Sequence, residues 1–154
     1  MEPSLFDDVA DILLGLVPVE MGEVRYRAHR WGIKVWFGPG KPTREHYEGQ
    51  VIGAAEVEDA SLLAMEVGFH SEYPQVAENE AVIAHLVAQK RRWKRAIGEE
   101  AEIGGFLGRQ DAWRRVSETW PDPDLGAPDL GFEIAARLVD YITAFEPVLR
   151  ARRA

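Results

Sequence analysis

Four side chains that could bind a metal ion lie on two neighbouring segments of the sequence: His46, Glu48, Glu66 and His70. Imidazole nitrogens and carboxylate oxygens are suitable ligands for Zn²⁺, Mn²⁺ or Fe²⁺. Two histidines and one or two carboxylates could leave one position open for a metal-bound water, as in a metal-dependent hydrolase. The sequence therefore raises the hypothesis of a divalent transition metal as cofactor, with these four residues as its ligands.

The two segments show the alternation that is typical of β-strands. In the stretch MEVGFHSE, residues 65–72, the apolar side chains point one way, and Glu66, His70 and Glu72 point the other way. The preceding stretch HYEGQVIGAAEVE, residues 46–58, completes a predicted hairpin. If its turn centres on Asp59, Glu48 lies opposite His70 and His46 lies opposite Glu72, so unlike charges face each other.

The same pattern has a simpler interpretation, and the sequence favours this one over a metal site. Ion pairs between His and Glu across two strands are ordinary on a solvent-exposed sheet face, where each contributes well under about 1 kcal/mol. The acidic pattern of nucleases, which ends in Glu-x-Lys, is missing because Glu66 is followed by Val67 and Gly68. On this interpretation the chain has no catalytic residues and needs no cofactor.

The first predicted hairpin, residues 24–37, carries a basic and partly aromatic face. Its candidate binding residues are Arg25, Arg27, Lys34 and Trp36. Such a face could bind single-stranded nucleic acid or an acidic protein surface. It could equally pair with acidic residues of the neighbouring hairpin, and we favour that interpretation. The net charge of -8 argues against nucleic acid as a partner, because the chain as a whole repels phosphate.

The remaining pattern predicts an α+β fold. Apolar residues recur at helical spacing after Ser4, after Asn79 as the N-cap of a helix ending at Gly98, and in a final helix that Pro147 ends or kinks. Two further short strands are expected at 102–107 and 113–120. We expect a two-layer domain in which a mainly antiparallel sheet of about four to six strands packs against about three helices.

Length and composition fit one domain spanning residues 1–154. The chain is 46% hydrophobic and 29% charged, which is typical of a globular protein with one core. It has no cysteine, so disulfides, thiolate metal sites and a cysteine nucleophile are excluded. No apolar run reaches the roughly 18 residues of a membrane span, and the acidic N-terminal segment lacks the basic region of a signal peptide. We therefore expect a cytoplasmic protein with no membrane partner.

Several stretches in the second half of the chain resemble a known domain. They are EVGFHSE, NEAVIAHLVAQKRRWKRAIGEE, WRRVSETW and FEIAARLVDYITAFEPVLR. Together they resemble an uncharacterised bacterial domain that occurs alone or behind a restriction-endonuclease-like domain. The similarity covers roughly the last 90 residues. The resemblance implies the same α+β topology, but it implies no activity and transfers no catalytic residue.

From the sequence we expect a binding or interaction module that self-associates and is not catalytic. A sheet with helices on one side leaves its second face to water or to a partner, and here a second copy could set basic residues against acidic ones. The partner is then a homo-oligomer or another protein. The alternatives are the metal-dependent hydrolase and a nucleic-acid-binding module that uses the first hairpin.

Overall fold

A computed structural model describes residues 4–108 and 110–154. One antiparallel sheet of six strands, in the order β1-β2-β3-β4-β6-β5, packs against four α-helices, so the predicted α+β class is confirmed. The strands are β1 (Val24–His29), β2 (Gly32–Phe37), β3 (Glu45–Gly53), β4 (Leu63–Ser71), β5 (Glu102–Gly105) and β6 (Arg114–Pro121). The α-helices are α1 (Leu5–Leu16), α2 (Val76–Ala88), α3 (Lys90–Ile97) and α4 (Leu130–Arg153).

The core lies between the helices and one face of the sheet. Val67 and Phe69 of β4 are fully buried there, against Leu138 and Tyr141 of the long helix α4. These are the residues whose alternation in the strand and helical spacing in α4 predicted inward-facing positions. None of the helices in the described residues is long and apolar enough to cross a membrane.

The predicted helix between Asn79 and Gly98 is two helices that meet at Gln89. Asn79 is not the N-cap, because α2 already begins at Val76. The Asn79 side chain is instead fully buried and accepts hydrogen bonds from Ser71 Oγ and the Tyr73 N–H, both at 2.8 Å. The side chain therefore connects the end of β4 to the start of α2. It does so by accepting hydrogen bonds, as the side chain of an N-cap residue also does.

The last helix continues past Pro147 to Arg153 as a single element. The sequence predicts an end or kink there, because proline removes one backbone hydrogen bond. Pro147 lies on the solvent-exposed side of α4, where water can replace that bond, while Val148 and Leu149 on the other side are buried in the core. Packing therefore holds the helix together across the proline.

The second hairpin pairs with a register two residues away from the predicted one. His46 lies opposite His70, and Glu48 lies opposite Gly68. The connection contains a 3-10 turn over Ala54–Glu56 and centres on Glu58 rather than Asp59. Because strand side chains alternate with a period of two, a shift of two residues changes the cross-strand partners but keeps every residue on its predicted face.

Candidate metal centre

The polar face of the second hairpin is buried. Only 2% of His46, 6% of Glu48, 0% of His70 and 6% of Glu72 is exposed. The interpretation of these residues as exposed ion pairs on a solvated face is therefore wrong. Both faces of residues 45–49 and 64–71 are covered, although the alternation of apolar and polar residues is that of a half-buried strand.

Local features of the neighbouring strands close this face. The ring of Phe106, just after β5, meets the His70 ring edge-on at 5.1 Å between centroids, and Trp113 holds Phe106 in the same way at 5.1 Å. Gly68 lies between Glu48 and Ser117 in the cross-strand row. A Cβ at Gly68 would come within 2.5 Å of Ser117 Cα, so only glycine allows β6 this close.

Two carboxylates and two imidazoles converge in the buried space. Nε2 of His46 lies 2.9 Å from Oε1 of Glu48 and 3.5 Å from Oε2 of Glu72. Nδ1 of His70 lies 3.3 Å and 3.1 Å from the same two oxygens. Four ligands at about 2.0–2.1 Å from a tetrahedral metal ion lie about 3.4 Å from one another. The four nitrogen–oxygen distances are close to that spacing, and the ligand atoms of all four residues lie within 4.8 Å of one another.

The other nitrogen of each imidazole is also held by an oxygen. His46 Nδ1 lies 2.9 Å from the Thr43 carbonyl, and His70 Nε2 lies 2.9 Å from Oε2 of Glu66. Glu66 is itself fixed, because it accepts hydrogen bonds from Ser117 Oγ at 2.7 Å and Gln50 Nε2 at 2.8 Å. Histidines that bind metal ions characteristically donate their second N–H to a carboxylate or a backbone carbonyl in this way.

All four ring nitrogens of His46 and His70 face oxygen atoms, which belong to one backbone carbonyl and to carboxylates. A carbonyl and an ionised carboxylate accept hydrogen bonds but cannot donate them. Two neutral rings carry two N–H groups between them. If those two point outward to Thr43 and Glu66, both inner nitrogens present lone pairs toward carboxylate oxygens. Either extra protons or a cation must then lie between the inner nitrogens and the oxygens of Glu48 and Glu72.

The charges around the centre favour a cation. In the metal-free protein, burial lowers the pKa of His70, but the charges of Glu66 and Glu48 and their hydrogen bonds outweigh it and hold that pKa well above its usual value. Burial raises the pKa of Glu66, but the charge of His70 and hydrogen bonds from His70, Ser117 and Gln50 lower it overall to about 2. For Glu48 too, His70 and His46 outweigh burial and hold the pKa well below its ordinary range.

The net charge matches a divalent ion. Glu48, Glu66 and Glu72 place three carboxylates in the buried space. Apart from the histidines, Lys34 is the cationic side chain of the described residues that pairs with them, with Nζ 3.8 Å from Oε1 of Glu72. With both imidazoles neutral, as metal binding requires, two negative charges remain for a divalent ion to compensate. In the metal-free protein the raised pKa of His70 means that a proton on His70 supplies one positive charge instead.

Three of the four predicted ligands, His46, Glu48 and His70, come together in this centre. The fourth residue of the cluster is Glu72, while Glu66 contacts only the outer side of His70. Glu72 has the same parity as His70, so the alternation that revealed the other residues also indicated it. Nothing in the spacing indicated the Thr43 carbonyl, which lies in a loop before β3.

Among the candidate binding residues of the first hairpin, Trp36 departs from its predicted exposure. Trp36 was expected on the outer face but is 4% exposed, and its indole nitrogen has no hydrogen-bond partner among the described residues. Lys34 does reach the second hairpin through Glu72, whereas Arg25 pairs with Glu23 at 3.5 Å and Arg27 is exposed. Trp36 and the His/Glu residues expected at a contact between two copies are thus enclosed within one chain, whereas Arg25 and Arg27 remain accessible. Self-association stays a prediction.

Comparison with models of protein families, with curated proteins and with solved structures finds no significant match to this chain. The resemblance to an uncharacterised bacterial domain therefore stays a prediction. The geometry of the buried centre is the basis on which a function can be assigned.

Proposed function

We propose that this protein is a metal-binding domain and that His46, Glu48, His70 and Glu72 hold one divalent transition ion, for which Zn²⁺ is the best fit. The observation that carries the proposal is the pairing of inner and outer contacts on both histidines. Each inner nitrogen lies 2.9–3.5 Å from the oxygens of Glu48 and Glu72. Each outer nitrogen has an oxygen partner at 2.9 Å that fixes the tautomer suited to metal binding.

The ligand set selects among metals. Two imidazoles favour Zn²⁺, Fe²⁺, Ni²⁺ or Cu²⁺ over Mg²⁺ and Ca²⁺, which prefer oxygen ligands alone. A set of four protein ligands favours Zn²⁺ within that group, because this ion has no geometric preference of its own and takes four ligands in most structural sites.

The centre supports a structural or storage role better than a hydrolytic one. A catalytic zinc keeps one position open for water or substrate, whereas four protein ligands close the coordination shell. Glu66, the one further carboxylate, is 0% exposed and already accepts hydrogen bonds from His70, Ser117 and Gln50, so it is poorly placed to act as a general base. Bound metal would join β3 to β4 and stabilise the middle of the sheet.

Calorimetric titration of chelator-treated protein with Zn²⁺ tests the proposal. We expect one ion per chain, and we expect Co²⁺ in its place to give the intense visible absorption of a tetrahedral site. His70→Ala should abolish binding. His29→Ala is the matched control, because His29 is exposed on the first hairpin and lies outside the centre.

Circular dichroism of each variant checks that loss of binding is not loss of fold. Glu72→Gln provides a second test, since it keeps the size of the side chain and removes one ligand charge. A wild-type chain that takes up no Zn²⁺, or a folded His70→Ala variant that binds it as tightly as wild type, would contradict the proposal.

A further inference from the structure

A separate cavity of about 700 Å³ opens where the end of α4 meets the loop before β3. Its volume is in the range of small-molecule sites, which are usually about 300–1,000 Å³. Its lining includes Glu45 but none of the four proposed metal ligands. The ligand proposed for it uses none of the metal ligands, although Thr43, whose carbonyl contacts His46, is part of its lining.

The cavity wall concentrates positive charge. Four cationic side chains line it: Lys41, Arg44, Arg152 and Arg153. The chain as a whole has a net charge of -8, so this is a local exception to an acidic surface. A cavity lined by one sign of charge raises the local concentration of ligands of the opposite sign.

The two carboxylates in the wall are already occupied. Glu45 accepts hydrogen bonds from the Tyr73 hydroxyl at 2.5 Å and from Arg153 Nη2 at 3.1 Å. Glu146 accepts from the Tyr47 hydroxyl at 3.0 Å and from Arg150 Nε at 2.8 Å. Their charge is largely compensated by these partners and does not cancel the remaining cations.

Three cations are left without compensation. Among the described residues, Lys41, Arg44 and Arg152 form no ion pair, although the acidic chain offers many carboxylates. Two come from the loop before β3 and the third from the last turn of α4, so the fold brings them together from distant parts of the sequence. Their side chains are exposed at the rim, where they can turn toward a bound anion.

The rest of the wall is apolar and partly rigid. Phe37, Pro39 and Pro42 contribute apolar surface. Tyr73 adds an aromatic ring whose orientation is fixed by its hydroxyl on Glu45, and burial together with that carboxylate raises the pKa of Tyr73 to about 12. An apolar wall with a few convergent polar groups is typical of sites for small organic ligands.

We propose that this cavity binds a small ligand that carries an oxyanion group, phosphate or carboxylate, on a flat apolar body. Arg44 and Arg152 would hold the oxyanion, since guanidinium groups match the geometry of both groups with two parallel hydrogen bonds. The apolar body would lie against Phe37, Pro42 and Tyr73.

Calorimetry of the full chain with three probes tests the assignment: 1-naphthyl phosphate, 1-naphthoate and the neutral 1-naphthylmethanol. We expect one of the two anions to bind one-to-one, with affinity that falls as salt is added, and the neutral probe to bind at least about tenfold more weakly. A preference between the two anions identifies the oxyanion as phosphate or carboxylate.

The double variant Arg44→Ala/Arg152→Ala should weaken anion binding by at least about tenfold, because each guanidinium contributes a charged hydrogen bond. Arg91→Ala/Arg92→Ala is the matched control, since it removes the same charge from exposed positions on α3. Failure of both anions to bind at millimolar concentration would overturn the proposal. Equal binding of the neutral probe, or equal loss in the control, would overturn it as well.

Discussion

The sheet carries a buried carboxylate cluster on each face, and the two clusters are satisfied in different ways. On the helix-covered face, Glu118 accepts hydrogen bonds from Trp120 Nε1, Arg137 Nε and the Tyr141 hydroxyl, all at 2.8 Å. Each of these donors carries its own proton. On the opposite face, the inner nitrogens of His46 and His70 meet the oxygens of Glu48 and Glu72. Even when His70 carries a proton on both nitrogens, a neutral His46 has one N–H for the two oxygens that its nitrogens face.

This difference separates a structural cluster from a candidate metal centre. Both are buried and both contain charge, so burial alone does not distinguish them. Around Glu118, burial and the nearby carboxylate raise the pKa of Tyr141, which keeps its hydroxyl protonated as a donor. A shortage of donors, rather than the presence of carboxylates, therefore indicates where a cation belongs.

Removing bound metal should produce the largest change in the free energy of unfolding, and this change should arise from the His/Glu centre alone. At a free Zn²⁺ concentration about 1,000 times the dissociation constant, we expect the metal to add about 4 kcal/mol to the free energy of unfolding. Urea denaturation with Zn²⁺ and with a chelator measures this difference. Identical unfolding midpoints in the two conditions would show that the His/Glu centre binds no stabilising metal and so does not differ from the Glu118 cluster in this respect.

Glu118→Ala should destabilise the fold without affecting the metal. It leaves the buried donors of Tyr141, Trp120 and Arg137 without their acceptor, which we expect to cost about 2–4 kcal/mol. Urea denaturation measures the loss, and calorimetry should still find one Zn²⁺ per chain. A lost or altered stoichiometry in a folded variant would show that the two clusters are coupled.

Glu66→Gln should weaken metal binding but not abolish it. Glutamine keeps an oxygen for His70 or Ser117 but loses the negative charge that strengthens the imidazole as a ligand. Changes of this kind typically cost about 10–100-fold in metal affinity. Glu102→Gln is a suitable control, since it removes a carboxylate that pairs with Arg115 at the exposed edge of the sheet. Calorimetric titration should give one ion per chain for both variants, with weaker affinity only for the first.

The last expected effect is a pH dependence of the free energy of unfolding, with opposite signs in the metal-free and the metal-bound protein. The raised folded-state pKa of His70 in the metal-free protein gives stability that is complete below the unfolded value of about 6.5 and is lost as pH rises through the folded value. With metal bound, the native state lacks that proton, so stability rises with pH up to about 6.5. The lowered pKa values of Glu48 and Glu66 add stability above about 4.3, which stays constant in this range.

Stabilisation by Zn²⁺ should therefore grow from about pH 6 to pH 8, by at most about 1.4 kcal/mol per pH unit for each proton displaced. Urea denaturation at each pH, with Zn²⁺ and with chelator, measures the gap between the two free energies of unfolding. A gap that narrows with rising pH would mean that metal and proton do not compete at His70.

Much of the fold follows from periodicity, while the environment of the polar face does not. Alternation placed Phe69 inward and His70 outward correctly, and that parity survived a register error of two residues. Alternation cannot say whether an outward face meets water, because Phe106 covers His70 from a loop whose position depends on tertiary packing. Asn79 shows the same limit. Its side chain accepts a hydrogen bond from a backbone N–H, as an N-cap would, but that N–H belongs to Tyr73 and not to the first turn of a helix.

The site was partly predictable for a related reason. His46, Glu48 and His70 share parity on paired strands, so their proximity follows from hairpin formation alone. The choice of Glu72 over Glu66 as the fourth ligand depends on the exact rotation of His70 between them, with Nδ1 toward Glu72 and Nε2 toward Glu66. A ring orientation of this kind is fixed by packing in three dimensions and leaves no trace in sequence spacing.

All four proposed ligands lie between His46 and Glu72, on or directly after two strands that are adjacent both in the chain and in the sheet. Closing a loop of this length costs little entropy, and contacts that are local in sequence form early in folding. During synthesis this hairpin is complete before β6 or α4 has been made, and domains begin to fold from the N-terminal side. We therefore expect metal availability to influence how fast the chain folds, with the loaded hairpin as a template on which β6 later pairs.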